Sequence, residues 1–439
     1  MTLLPKDFVT RITNDPYVPK GLIEALDTSP PTSVRLHPNR KSKLSALKPV
    51  AWNSNGIYLA ERPAYTYDPL FHAGVYYPQE AGSMYLEQVL KQLALPANPV
   101  VLDLSAAPGG KSTLIASFLN HKGVLIANEI NRSRAHILSE NLSKWGYANA
   151  LVCNHKPNEL RVLEGQVDVL VVDAPCSGEG MFRKDHQART EWNLGNVLTC
   201  ESRQSAILSE AWPLLKNGGY LIYSTCTFNP AENELQLLEF LHDQSAEQIA
   251  LPHFEGMQED RFQIGHYFFP NQIESEGFYI AALKKISPTS RKQKPNKATL
   301  NQQIPKELAP VLKYVNELTF WQEDDKLYAT TPFAFSIYES IRGLNFLKKG
   351  IHVATAQKKS WTPGYDLVYS LYSIWELPKK PVDLTTALRI LHGESQQWEA
   401  PAGFYLVTFE DQAIAMVKQI GHRFNNLHPT EWRIRHLPK

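Results

Sequence analysis

The chain has 439 residues, 43% of them hydrophobic and 20% charged, a balance that excludes a disordered or fibrous protein. Forty-five Lys and Arg against 44 Asp and Glu leave a net charge of +1, so the bulk charge names no polyanionic partner. Runs of about 18 apolar residues are absent, a secretory leader is not expected from Met1–Phe8, and four cysteines are too few for a disulfide scaffold. A reduced, cytosolic protein is expected, and with no C-x-x-C pair no structural zinc is expected.

The length suggests about three domains. Residues 1–92 mix turns with short helical stretches, and Met84–Leu95 carries apolar residues at helical spacing (Met84, Leu86, Val89, Leu90, Leu93). From Pro99 to residue 286 strands and helices alternate. Strands are expected at Val100–Leu104, Val124–Ala127, Ala150–Cys153, Val167–Val172 and Tyr220–Ser224. Helices are expected at Lys111–Leu119, Arg134–Trp145, Glu201–Leu215 and Ala231–Leu241. The apolar strands do not alternate, as in a parallel sheet covered on both faces. His266–Phe269 and Gly277–Leu283 read as a closing antiparallel pair. A polar, basic, Pro-bounded linker occupies 287–306. An intermediate segment runs over 307–376, and a smaller part, 377–439, has strands at Gly403–Phe409 and Ala413–Val417.

Charge is segregated along this order. Thr28–Ala60 holds Arg35, Arg40, Lys41, Lys43 and Lys48 and no acid; Gly277–Lys306 holds seven basic residues and no acid; the tail from Met416 has five against Glu431. Glu201–Asp260 carries ten acids and two bases. Such segregation can bind phosphates locally under a neutral total, or simply solvate loops.

The stretch Val101-Leu-Asp-Leu-Ser-Ala-Ala-Pro-Gly-Gly-Lys-Ser-Thr113 leaves a strand and opens a helix, a place where free N–H groups and a helix N-terminus meet a ligand. Gly110-Lys111-Ser112 fits the end of a P-loop, but Ser105 stands where its first glycine belongs. Alternatively it is the nucleoside-binding loop of an S-adenosylmethionine enzyme, with Glu129 about 20 residues on to take the ribose hydroxyls. A plain structural turn is the third reading.

Two cysteines bear on the choice. Asp173-Ala-Pro-Cys176-Ser-Gly-Glu-Gly180 and Ser224-Thr-Cys226-Thr-Phe-Asn-Pro230 each follow a strand, on the edge where open α/β sheets bind ligands. Cys153, inside a strand, and Cys200, near a helix start, suit the role of small buried hydrophobes. Thiols in polar loops suit attack on cytosine C6, which makes C5 nucleophilic enough to take a methyl group. Asp173 is placed to contact N3, and the base must be unstacked to be reached.

With these motifs the sequence resembles the Nol–Nop–Sun family of RNA cytosine-5 methyltransferases, and within it the bacterial RsmF (YebU-like) 16S rRNA type. Ser33-Val34-Arg35 with Lys41, His72–Met84, Ala106–Lys111, the two cysteine motifs and Glu232-Asn233-Glu234 are similar to the family's segments, and Glu399–Phe409 with Asn425–Arg433 look like its terminal PUA-like module. The resemblance implies an α/β, Rossmann-like S-adenosylmethionine-dependent domain at 93–286, an N-terminal α+β RNA-binding extension at 1–92, an intermediate domain at 307–376 and a PUA-like β-barrel at 377–439. It implies Cys226 as nucleophile, Cys176 in product release, Asp173 at cytosine N3, and Lys111 beside them. It implies S-adenosylmethionine as methyl donor on Ala107, Pro108, Gly109, Gly110, Lys111, Glu129, Arg134 and Asp173. Where the family has an Asp for the adenine amino group this chain has Asn154. Phe404, Tyr405 and Trp432 are compatible with RNA stacking or with a small core. The expected partner is 16S rRNA or an assembling small ribosomal subunit, met by a cytoplasmic monomer without membrane or metal. The alternatives are a tRNA cytosine-5 methyltransferase and a P-loop ATP-binding RNA remodelling or scaffold protein.

Overall fold

The computed structural model describes residues 3–286, 304–358 and 360–438; the expected linker falls almost wholly outside them. The α/β domain is built on five parallel strands: β1 Val100–Asp103, β2 Val124–Asn128, β3 Ala150–Cys153, β4 Val167–Asp173 and β5 Leu215–Thr225. Their order is 3-2-1-4-5. Beyond β5 follow, all antiparallel, β8 Phe278–Lys285, β7 Gly265–Phe268 and β6 Gln258–Glu259. Beyond β3 lies β9, Phe346–Lys349, also antiparallel. Every residue of β1, β2 and β3 is buried, which explains the unalternating apolar runs. Full burial of each Leu, Ile or Val contributes about 1.5–3 kcal/mol. The two faces form separate cores, one holding Leu102, Ile126 and Leu170, the other Val101, Leu125 and Val169.

Several elements depart from expectation at their ends. The helix expected at Glu201–Leu215 runs Leu194–Ala211, started by Asn193, whose side chain accepts from the Asn196 N–H at 2.9 Å. Leu194 and Leu198 are exposed, which hides that first stretch from periodicity. Cys200 therefore lies inside this helix, not at its start. β5 begins at Leu215, five residues before the expected Tyr220, because Asn217-Gly218-Gly219 is carried within the strand. The helix expected at Ala231–Leu241 is a short 3-10 turn, Pro230–Glu232, followed by Glu234–Asp243. Asn233 breaks the two, its side chain bonded to Thr225, Thr227 and Tyr267. The helix expected at Met84–Leu95 is a 3-10 turn, Gly82–Tyr85, leading into Leu86–Gln92.

The N-terminal region has a helix, Lys6–Asn14, and a four-stranded antiparallel sheet that includes Thr32–Leu36, Gly56–Leu59 and Tyr76–Pro78. Two cations of the basic run over Thr28–Ala60 are consumed by packing. Buried Arg35 donates to Gln79 and Thr113 and lies 4.6 Å over the Trp145 ring. Arg40 donates to the carbonyls of Ala73, Gly74, Lys144 and Tyr369. Lys43 pairs with Glu410 and Lys48 with Glu274. Arg35 and Arg40 thus serve the fold, while Lys43 and Lys48 sit in exposed ion pairs. Residues 319–363 add a second four-stranded sheet, and Lys379–Pro381, Gly403–Phe409, Gln412–Ile420 and Arg423–Asn426 a third, with the helix Leu384–His392. Trp432 is half-buried and packs among Tyr365, Tyr369 and His428.

Candidate active site

The carboxyl ends of β1, β4 and β5 open on a cavity of about 330 Å³. Its lining includes Asp103, Pro108, Lys111, Asp173 and Cys226 from the sheet side and Glu80 from the N-terminal region. The loop after β1 turns at Gly109, where φ is +120°, a conformation that L side chains rarely adopt. The helix Gly110–Leu119 then starts directly under the cavity.

The loops after β4 and β5 come together at the two thiols. Cys176 Sγ and Cys226 Sγ are 3.3 Å apart, and both residues are half-buried. Cys226 lines the cavity. The Cys176 thiol is held well above its ordinary pKa, first by its hydrogen bond to Cys226, then by burial and by the negative charge of neighbours, so it stays protonated. Gly180 lets the loops touch: its N–H donates to the Cys226 carbonyl at 2.9 Å, and a Cβ there would lie 2.6 Å from the Gly277 carbonyl oxygen.

Lys111 Nζ reaches Asp173 Oδ2 at 2.8 Å. Burial works against the lysine's charge, but Asp173, with Asp103 and Cys226 behind it, outweighs that and raises its pKa. The other oxygen of Asp173 accepts from Ser224 Oγ at 2.8 Å. Lys111, Asp173 and Cys226 therefore share one cavity, with Cys176 behind Cys226.

Glu129, Arg134 and Asn154 form a neighbouring group beyond β2 and β3 and do not line that cavity. Glu129 follows β2, is 2% exposed, and accepts from the Asn131 N–H at 2.9 Å. Arg134 lies 3.6 Å from the Glu129 carboxylate and donates to the Ala107 carbonyl at 2.7 Å, tying the group to the glycine loop. The Asn154 amide donates to the carbonyls of Glu129 and Ile130, at 2.5 and 2.8 Å.

Three acids without an expected role belong to the site. Asp103 ends β1, is fully buried, and accepts from Ser112 Oγ at 2.6 Å; its other oxygen has no partner among the described residues. Burial pushes its pKa up to about 7, against the Ser112 hydrogen bond, with nearby Asp173 adding to the rise. Glu232 accepts from the Ser177 N–H at 2.8 Å, from Ser177 Oγ, and from Gln204 at 3.3 Å, clamping the Cys176 loop to the chain after β5. Burial raises it to about 7, opposed by Ser177. Glu179 accepts from Arg11 at 2.6 Å and from the Phe228 N–H at 3.1 Å, so the N-terminal helix is fastened to both thiol loops. The sequence signal for all three is modest: an acid at a strand end, one inside the first cysteine motif and one just after the second.

Comparison with known proteins agrees with this geometry. Residues 90–284 match the family model of the 16S rRNA methyltransferase RsmB/F, residues 4–81 that of the N-terminal domain of 16S rRNA methyltransferase RsmF, and residues 379–434 that of the methyltransferase RsmF PUA domain. The chain is 31% identical to the ribosomal RNA small subunit methyltransferase F of Escherichia coli over 425 residues, 88% of this chain and 84% of that one. It is 29% identical to the protein of that name from Erwinia tasmaniensis over 420 residues, 88% and 85% of the two chains. Among solved structures it resembles a methyltransferase homolog protein from Pyrococcus horikoshii, with a TM-score of 0.52, 27% identity and coverage of 60% of this chain and 89% of that one. NSun6 from Pyrococcus horikoshii with SFG shares the fold at a TM-score of 0.56 and 20% identity, covering 65% and 99%. With a thiol pair at adjacent strand ends and relatives matched over most of both chains, this protein belongs to the RsmB/F family of 16S rRNA methyltransferases.

Proposed function

We propose that the protein methylates C5 of a cytosine in 16S rRNA, with Cys226 as nucleophile. The observation that carries the reading is the pair of thiols 3.3 Å apart, one lining a cavity shared with the Lys111–Asp173 ion pair. A P-loop ATPase has no use for that pair, and a tRNA substrate is disfavoured by the RsmF-type N-terminal and PUA segments.

The residues present fit S-adenosylmethionine. The unpartnered buried oxygen of Asp103 suits an ammonium group, Glu129 suits ribose hydroxyls, and the Asn154 amide oxygen suits the adenine amino group, since the amide hydrogens are spent on backbone. Ala107, Pro108, Gly109 and Gly110 supply the close backbone wall. When bound, that cofactor supplies an electrophilic methyl group on a sulfonium.

The protein's own part follows from charge flow. The Cys226 thiolate adds to C6, and the C5–C6 π electrons move into the ring toward N3. Asp173 and the Lys111 ammonium held against it face N3 together: a proton passes from the pair to N3 as charge collects there and returns to the pair when C5 attacks the methyl group. C5, now enamine-like, takes the methyl group. A base from solvent then takes the C5 proton, whose bonding pair restores the C5–C6 double bond as the C6–S pair leaves on sulfur. Cys176, held as a thiol against Cys226 Sγ, can protonate the departing sulfur and so favour release.

The test is methyl transfer from labelled S-adenosylmethionine to 16S rRNA, offered naked and in assembled small subunits, with the modified position read by bisulfite sequencing. Label at cytosine C5 is expected; label on another base, or on tRNA alone, overturns the reading.

A further inference from the structure

The far edge of the sheet carries a second cluster. β6 and β7 pair so that Glu259 stands opposite His266, and His253 arrives from the preceding loop. The potential ligand atoms of these three residues all lie within 4.8 Å of one another. The His253 and His266 rings are 5.7 Å apart.

His266 is the telling member. It is 4% exposed, and neither ring nitrogen has a hydrogen-bond partner among the described residues. A buried imidazole with both nitrogens unpaired is expensive unless something else binds it. Adjacent Asp260 is no competitor, because its carboxylate already accepts the N–H groups of Phe262, Ile264 and Gly265 and the Tyr279 hydroxyl.

We propose that His253, Glu259 and His266 bind a zinc ion, with water in the fourth position. Two imidazoles and a carboxylate are a zinc donor set. Tetrahedral binding needs donor atoms about 3.3 Å apart, for bonds of about 2.0–2.1 Å. His253 and Glu259 are exposed and can rotate inward on a fixed His266. The ion's role is a clip. The His253 loop is held by the Tyr85 hydroxyl on the Pro252 carbonyl and by Phe254 against Trp52. Tyr85 closes the turn that begins beside cavity-lining Glu80. Zinc would therefore fasten the last hairpin of the sheet to the segment forming one wall of the cavity.

The experiment is zinc titration of the full chain, stripped with chelator, by calorimetry and thermal melting. One ion per chain and a raised melting temperature are expected. His253→Ala and Glu259→Gln, both at exposed positions, should each weaken binding at least about tenfold, since losing even a group that only orients a ligand costs about 10–100-fold, while exposed His242→Ala leaves it unchanged. Cobalt substitution should give visible absorption that both ligand variants lose. No stoichiometric uptake, uptake surviving in the double variant, or cobalt bands of a thiolate complex on Cys176 and Cys226 would each overturn the site.

Discussion

Beyond β4 and β5 the side chains of the site hold one another, whereas beyond β1 to β3 they are held mostly by backbone. In the first half Cys176 meets Cys226, Ser177 meets both Thr227 and Glu232, and Asp173 meets Ser224 and Lys111. In the second, Glu129 accepts from a backbone N–H, Asn154 and Arg134 donate to carbonyls, and Asp103 has the Ser112 hydroxyl alone. Networks of side chains respond non-additively to single changes, while a side chain fixed on backbone loses only its own contact. The half proposed to react should therefore fail in large steps, and the half proposed to hold the cofactor in small ones.

The largest effect is expected at the proposed nucleophile. Cys226→Ala should lower methyl transfer on the order of 10⁴-fold or more and leave no covalent RNA adduct. Cys176→Ala should transfer a methyl group yet stay joined to the product, seen as a slow band on a denaturing gel. The reverse pattern would exchange the two roles.

Glu232→Ala strands the Ser177 N–H, while the Ser177 hydroxyl keeps Thr227 and the Gln204 amide keeps the Pro175 carbonyl. A buried group left unpaired costs about 1–3 kcal/mol, so a marked drop in the denaturation midpoint should accompany slower turnover, with cofactor affinity retained. A midpoint equal to wild type would dissolve the contrast between the halves.

On the other side, Glu129→Ala should weaken S-adenosylmethionine by about 1.5–3 kcal/mol for each charge-assisted bond lost, with folding unaffected. Calorimetry showing wild-type affinity would place the ribose elsewhere.

The smallest effect is a pH slope. Asp103 is raised from 3.8 to about 7, so in the folded chain it keeps its proton through mild acid. Its contribution to stability is complete below its ordinary pKa and is lost as pH rises through about 7. Melting temperature between pH 5 and 7.5 should fall more steeply in wild type than in Asp103→Asn. Saturating S-adenosylmethionine should flatten the slope only in wild type; equal slopes with and without it would deny Asp103 the ammonium.

Much of this was legible in the sequence where a motif is contiguous. Ala107–Lys111, Asp173–Cys176 and Thr225–Cys226 announce the loops, and unalternating apolar runs locate β1 to β4 closely. What stayed hidden depends on partners far along the chain. Glu232 and Ser177 are 55 residues apart, and Arg40 reaches carbonyls 104 and 329 residues away. Arg40 looks in the sequence like a phosphate ligand, and only the fold turns it into a strut. The late start predicted for the helix Leu194–Ala211 has a different cause, since exposed Leu194 and Leu198 break the amphipathic pattern.

The strand β9 has a bearing on how the chain can be cut. It comes from residues 346–349, past the linker, yet it covers the open edge of β3 by pairing with Leu151, Val152 and Cys153. A protein trimmed after residue 286 would keep every group of the proposed reaction and expose a row of unpaired amides and carbonyls on a strand whose side chains are wholly apolar or thiol. Such an edge recruits strands from other molecules. The C-terminal third is thus a cover for the catalytic sheet as well as a region of its own, and a truncated enzyme should aggregate before its chemistry can be assayed.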